Sequence, residues 1–187
     1  TITTITRSNL AQVPEVVEAS LLAGFDALLS VVHEGEAGAP GPHAFRRPEG
    51  GVAPDARTDG PALERLVRRL LELKERHSNL VESREFLEGI PAFLQGRFRM
   101  DCRAGEGFFE VDVDGRIMAC HDVPASDVHA LEFQDYGEMR RRVRATVPPG
   151  CTCYFDCFFN HAQLRRHPLR SMARLAMRHA GFPAARR

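Results

Sequence analysis

The chain has 187 residues, 43% of them apolar and 27% charged, with 25 basic residues balancing 25 acidic ones. That length supports a substantial core in one domain, or a domain with an appendage, and the neutral balance gives no global field toward nucleic acid or a membrane surface. No apolar run approaches the roughly 18 residues of a membrane span, and no charged head precedes an apolar segment as in a signal peptide. Five cysteines are an odd number for a disulfide framework. A cytoplasmic protein with reduced thiols is therefore expected. The opening on "TITTIT", without a methionine, reads as a chain cut into from upstream.

"TITTITR" alternates β-branched residues and predicts a strand. In "SNLAQVPEVVEASLLAG" a helix is expected, with Ser8 or Asn9 as its cap and Gly24 as its stop. Val13, Val16, Val17, Leu21 and Leu22 recur there at helical spacing. "FDALLSVVH" is a short continuous apolar run, the pattern of a strand buried on both faces. Strand, helix and strand with short connections make a βαβ unit, which implies parallel pairing and a right-handed crossover.

Residues 34–61 are rich in Gly, Pro and charge and predict a long loop. The loop leaves the carboxyl end of a strand, where open sheets and barrels place their ligand sites; a mobile surface insertion is the equal alternative. "ALERLVRRLLELKERHS" is amphipathic, with Leu63, Leu66, Val67, Leu70 and Leu71 as its apolar stripe. "SREFLEGIPAFLQG" predicts a shorter helix capped by Ser83 and bent or interrupted at Pro91.

The pattern changes at Met100. "DCRAGEGFFEVDVDGRIMACHD" predicts a β-hairpin with a type I′ turn at Asp114-Gly115. Its "DVDG" lacks the bidentate Glu and the remaining ligands of a calcium loop. "LEFQDYGEMRRRVRATV" predicts a helix broken by "PPG", and "HPLRSMARLAMRHAG" a closing basic helix. From Glu138 to Arg187 there are eleven arginines against two acids, while Lys74 is the only lysine of the chain. That skew reads first as a coding bias and second as a basic surface.

The cysteines carry the chemistry. Cys102 precedes the hairpin, Cys120 ends its second strand, and Cys151, Cys153 and Cys157 crowd into a downstream loop. A tight hairpin would bring Cys102 and Cys120 together, and two thiolates from the loop would complete a four-thiolate cage. Such sets select zinc or an iron–sulfur cluster. Cys102, Cys120, Cys153 and Cys157 are the favoured ligands, with Cys151 in reserve. The alternatives are buried thiols acting as small hydrophobes, and a Cys–His catalytic pair using His121 or His161. Those histidines could equally stand behind the ligands.

The string "CRAGEGFFEVDVDGRIMAC", followed by "CTCYFDC", resembles the auxiliary-cluster region of radical S-adenosylmethionine (radical SAM) enzymes, the twitch or SPASM-type extension. "TITTITRSN", "AGFDALLSVV" and "LLELKERHSNLVESREFLEG" look like the last βα units of that family's partial barrel. The resemblance implies an α/β fold: C-terminal βα units of a partial TIM-type barrel over 1–99, then a β-hairpin and helices forming a cluster-binding, twitch/SPASM-like extension over 100–187. It implies an auxiliary [4Fe-4S] cluster on Cys102, Cys120, Cys151, Cys153 and Cys157, with one of the last three left over. Such a cluster would position substrate or pass electrons. Phe108, Phe109, Tyr154, Phe155, Phe158 and Phe159 would be its apolar shell, or plain core. Asn9 and His33, at strand ends, could face the ligand side or serve structure alone.

The departure from the family is as informative. The C-x3-C-x2-C motif of the radical chemistry is missing, because the first hundred residues contain no cysteine. The chain alone is therefore not expected to cleave S-adenosylmethionine, which would bind only in a full-length parent. Its expected partner is the missing N-terminal barrel half, and peptide, sugar and lipid-precursor substrates all occur in the family. A reading from another class is a non-catalytic zinc module, with the thiolates as a staple and the basic helix contacting an acidic partner or nucleic acid. Of these, nucleic acid is not expected, since that helix has no interleaved aromatics.

Overall fold

The computed structural model describes residues 1–32, 51–95, 97–98, 102–120 and 123–148, together with Tyr154, Phe159, Pro168 and Leu169. The first strand, β1, runs Ile2–Ile5, and the chain then makes a single 3-10 turn at Arg7–Asn9. The first helix, α1, begins only at Val13 and runs to Leu22. Neither Ser8 nor Asn9 caps it. Asn9 instead accepts from the Thr6 amide and donates to the Thr4 carbonyl, both at 2.8 Å, so its side chain closes the β1 exit. Pro14, which lacks an amide hydrogen, sits in the first turn of α1 where none is required.

The α1 face is narrower than its periodicity suggests. Val13, Pro14, Val17 and Leu21 are buried, whereas Val16 and Leu22 are 49% and 73% exposed. Gly24 ends the helix as expected, at φ +84. Its amide donates to Leu21 O and that of Phe25 to Ser20 O, the two bonds of a Schellman ending. The second strand, β2, spans Leu28–Val31 and pairs parallel with β1, Ile2 opposite Leu28 and Ile5 opposite Val31. Leu29 and Val31 are fully buried and Leu28 and Ser30 half-buried. A further parallel bridge joins Ala27 to Leu80.

The predicted 34–61 loop ends two residues early. Residues 34–50 lie outside the described residues, but Val52 accepts from the Arg7 amide at 2.7 Å, and Asp59 pairs with Arg7 at 3.2 Å. The second helix, α2, spans Gly60–Arg76 and buries Leu63, Leu66, Val67, Leu70 and Leu73. Leu71, expected in that stripe, is only half-buried. Glu18 of α1 ties to α2 through Arg69 and Arg76 at 3.0 and 2.8 Å, and the Arg76 hydrogen bond holds the Glu18 carboxyl below its ordinary value.

The third helix, α3, spans Arg84–Leu94, and Ser83 caps it by accepting from the Phe86 amide at 3.1 Å. Pro91 does not interrupt it. A mid-helix proline costs roughly 3 kcal/mol, but Phe86, Leu87, Ile90, Phe93 and Leu94 are buried on the same helix, and each contributes about 1.5–3 kcal/mol. Packing therefore outweighs the lost amide. Contacts divide the chain into two units, the first holding β1, β2 and α1–α3. Tyr154 and Phe159 pack in this first unit, although the sequence groups them with everything after residue 100. The Tyr154 ring stacks on Phe86 and Phe93 at 4.6 and 4.7 Å and meets Phe98 edge-on, while its hydroxyl donates to the Phe86 carbonyl.

In the second unit, β3 spans Glu110–Val111 and β4 spans Ile117–Met118, pairing antiparallel. Their connection is not a type I′ turn. The Gly115 amide donates to Asp112 O at 3.0 Å, and among the described residues no non-glycine has positive φ, so Asp114 cannot take a I′ position. The loop is a three-residue turn closed by Gly115 at φ +80. Asp112 favours it by accepting from the amides of Asp114 and Arg116 at 2.9 and 2.8 Å. His129 Nδ1 accepts from the Leu131 amide at 3.2 Å, so its Nε2 donates to the Asp114 carbonyl at 3.1 Å. The helix α4 spans Tyr136–Ala145, is capped by Asp135, and buries Met139 and Val143. The expected closing helix lies outside the described residues except for Pro168 and Leu169.

Candidate functional site

Cys102 and Cys120 both belong to the second unit and both are thiols. Cys120 follows β4 and is buried at 5% exposure, next to Ala119 and Ile117, which have none. Cys102 is half-buried. The hairpin alone does not set them opposite each other. Its register places Glu110 across from Met118, and carried outward that ladder would put Phe108, not Cys102, across from Cys120.

A second turn intervenes. The amides of Glu106 and Gly107 donate to Arg103 O at 3.0 and 2.8 Å, and Ala104 bridges Phe108. Gly105 takes φ +78 there, and a Cβ on it would stand 3.0 Å from the backbone of Arg144. A side chain there would be strained by the positive φ and tight against α4, which favours glycine. "CRAGEG" is thus a turn against α4 rather than the start of a strand.

Arg144 organises the turn. Its Nη1 donates to the carbonyls of Cys102 and Ala104 at 3.1 and 3.0 Å, and its Nε lies 3.6 Å from Glu106. Glu106 also pairs with Arg103 at 2.9 Å. Two residues back, Arg142 pairs with Asp127 at 2.6 Å, and its hydrogen bond holds the Asp127 carboxyl below its ordinary value. Nothing in the cysteine spacing pointed to Arg144; the run "RRRVR" on an amphipathic helix was the available signal, since it packs Met139 and Val143 inward and leaves guanidiniums on the flanks.

Of the other sequence candidates, Asn9 is occupied by backbone groups. Tyr154 and Phe159 are core of the first unit, whereas Phe108 is half-buried and Phe109 is 38% exposed. Cys151, Cys153, Cys157, His33, His121, His161, Phe155 and Phe158 lie outside the described residues. Among the described residues, no three His, Cys, Asp or Glu side chains are grouped to hold a metal ion. The sequence reading also missed Glu82. It is fully buried and accepts from the Leu29 amide of β2 at 2.5 Å, so a side chain continues what the Ala27–Leu80 bridge begins.

Among the described residues no helix is long and apolar enough to cross a membrane. No family model, no curated protein and no solved structure matches this chain.

Proposed function

We propose that this chain is the C-terminal part of a radical SAM enzyme, and that its cysteines hold an auxiliary [4Fe-4S] cluster. The observation that carries the reading is the pair of thiols, Cys102 and Cys120, bracketing a β-hairpin within one unit. Its support from the first unit is the strand order: β1, β2 and the Leu80 segment adjoin in chain order, parallel, with helices between. Successive βα units of a partial barrel require that order.

Thiolate donors suit iron, and the ligands are to be drawn from Cys102, Cys120, Cys151, Cys153 and Cys157. A bound cluster would supply electron transfer or a contact to substrate. The chain's own contribution is to seat Cys120 in apolar surroundings and to hold the Cys102 backbone through Arg144. The partner is the N-terminal barrel half, and S-adenosylmethionine binds only in the complete enzyme.

Anaerobic reconstitution with iron and sulfide tests this. The expected product is brown from thiolate-to-iron charge transfer, carries iron and sulfide in equal amounts, and loses iron in Cys102→Ser and Cys120→Ser. A colourless protein retaining one equivalent of zinc would overturn the proposal in favour of a structural zinc module. Undiminished iron in both variants would overturn the ligand assignment.

A further inference from the structure

We infer that a cleft on α4 binds a phosphate monoester through Arg140 and Arg141, independently of any metal on the cysteines. The cleft measures about 460 Å³ and is lined by Glu106, Gly137, Arg140, Arg141, Arg144 and Ala145. That volume is within the roughly 300–1,000 Å³ of small-molecule sites.

The charges in it do not cancel. Among the described residues, three guanidiniums line it with one carboxylate, and Glu106 is already shared by Arg103 and Arg144. Arg142 is neutralised by Asp127. Arg140 and Arg141 have no ion pair among the described residues. Arg140 stacks its guanidinium 5.8 Å over the Tyr136 ring, and its Nε is buried with no hydrogen-bond acceptor among the described residues. A buried donor without an acceptor is costly, and an anion in the cleft supplies one.

The ligand class follows from charge and shape. The planar fork of Arg matches the oxygens of phosphate or carboxylate. The described lining has a surplus of two positive charges, and a phosphate monoester carries about −1.5 to −2 near neutral pH. A monocarboxylate would leave one guanidinium unmatched. The amides at the start of α4 are not the recognition element, because Asp135 already accepts from Gly137 and Glu138. Tyr136, 53% exposed, offers a ring face beside the site for the ester substituent.

Calorimetric titration of the full chain with phenyl phosphate and, in parallel, benzoate tests the inference. Phenyl phosphate is expected to bind saturably, more weakly at higher salt, and at least tenfold more weakly in the Arg140→Ala/Arg141→Ala double variant. Arg141→Ala alone changes an exposed side chain, so its fold is preserved and it too should weaken binding severalfold. Arg142→Ala should bind like the parent. Absence of saturable phenyl phosphate binding, equal affinity for benzoate, or undiminished binding in Arg141→Ala would each overturn it.

Discussion

The guanidinium of Arg144 holds the main-chain carbonyl of Cys102 at 3.1 Å, forty-two positions back along the chain. The same nitrogen reaches Ala104, so one side chain on α4 closes both ends of the turn entrance. This contact, rather than the hairpin ladder, locates the Cys102 backbone within its unit.

Replacing Arg144 by Ala leaves two carbonyls without their charged donor. Hydrogen bonds to charged groups contribute about 1.5–3 kcal/mol, and partial exposure of the side chain puts the expected loss at the lower end, about 1–2 kcal/mol. Denaturant midpoints measure it, and amide exchange at Glu106 and Gly107 should accelerate together. Arg144→Lys should recover little, since an ammonium lacks the fork that faces two acceptors and Glu106 at once. An unchanged midpoint and unchanged exchange would remove Arg144 from this role.

Glu82 is expected to matter through its oxygen rather than its charge. Glu82→Ala takes away the acceptor of the Leu29 amide inside β2, and a buried donor left in that state costs about 1–3 kcal/mol. Glu82→Gln keeps a carbonyl oxygen at the same reach and should lie closer to the parent. Equilibrium unfolding of the two variants separates the cases: equal loss in both would show that the carboxylate charge is what β2 needs.

Tyr154 links stability to alkaline pH. Burial pushes its phenol well above the ordinary value of 10.0. A folded-state value raised above the unfolded one means that the stabilisation is complete below pH 10 and is lost as pH climbs beyond it. The protein has two tyrosines, so a Tyr136→Phe background isolates the Tyr154 phenolate signal. That signal should appear only together with unfolding. Gly89 completes the site, since a Cβ there would overlap the Tyr154 hydroxyl; Gly89→Ala should destabilise by about 1–3 kcal/mol. A phenolate titrating reversibly in the folded protein would contradict the burial.

The elements readable from sequence are those whose causes lie within a few residues. β1, the Schellman ending at Gly24, the α2 stripe and the Ser83 cap depend on β-branching, helical spacing and one side chain bonding a nearby amide. The errors have non-local causes. Pro91 stays helical because five apolar neighbours on α3 are buried by other elements. Asp114-Gly115 invited a type I′ turn, but Asp112 and His129 secure a longer loop. Val16 and Leu22 fit the helical count yet face solvent, because the position of the sheet, not the period, decides which side of α1 is covered.

The sequence by itself determined the parallel βαβ start, the two amphipathic helices after it, the presence of a hairpin between Cys102 and Cys120, and a chain rich in thiols and arginine toward its end. Only the tertiary structure decided that Cys102 sits behind a glycine turn held by Arg144, that Tyr154 belongs to the core beside α3, and that Arg140 and Arg141 line a cleft and have no ion pair among the described residues. The physical reason is one of range. Propensity, capping and periodicity act over a single helical turn, whereas charge matching and close backbone approach depend on segments tens of residues apart meeting in space.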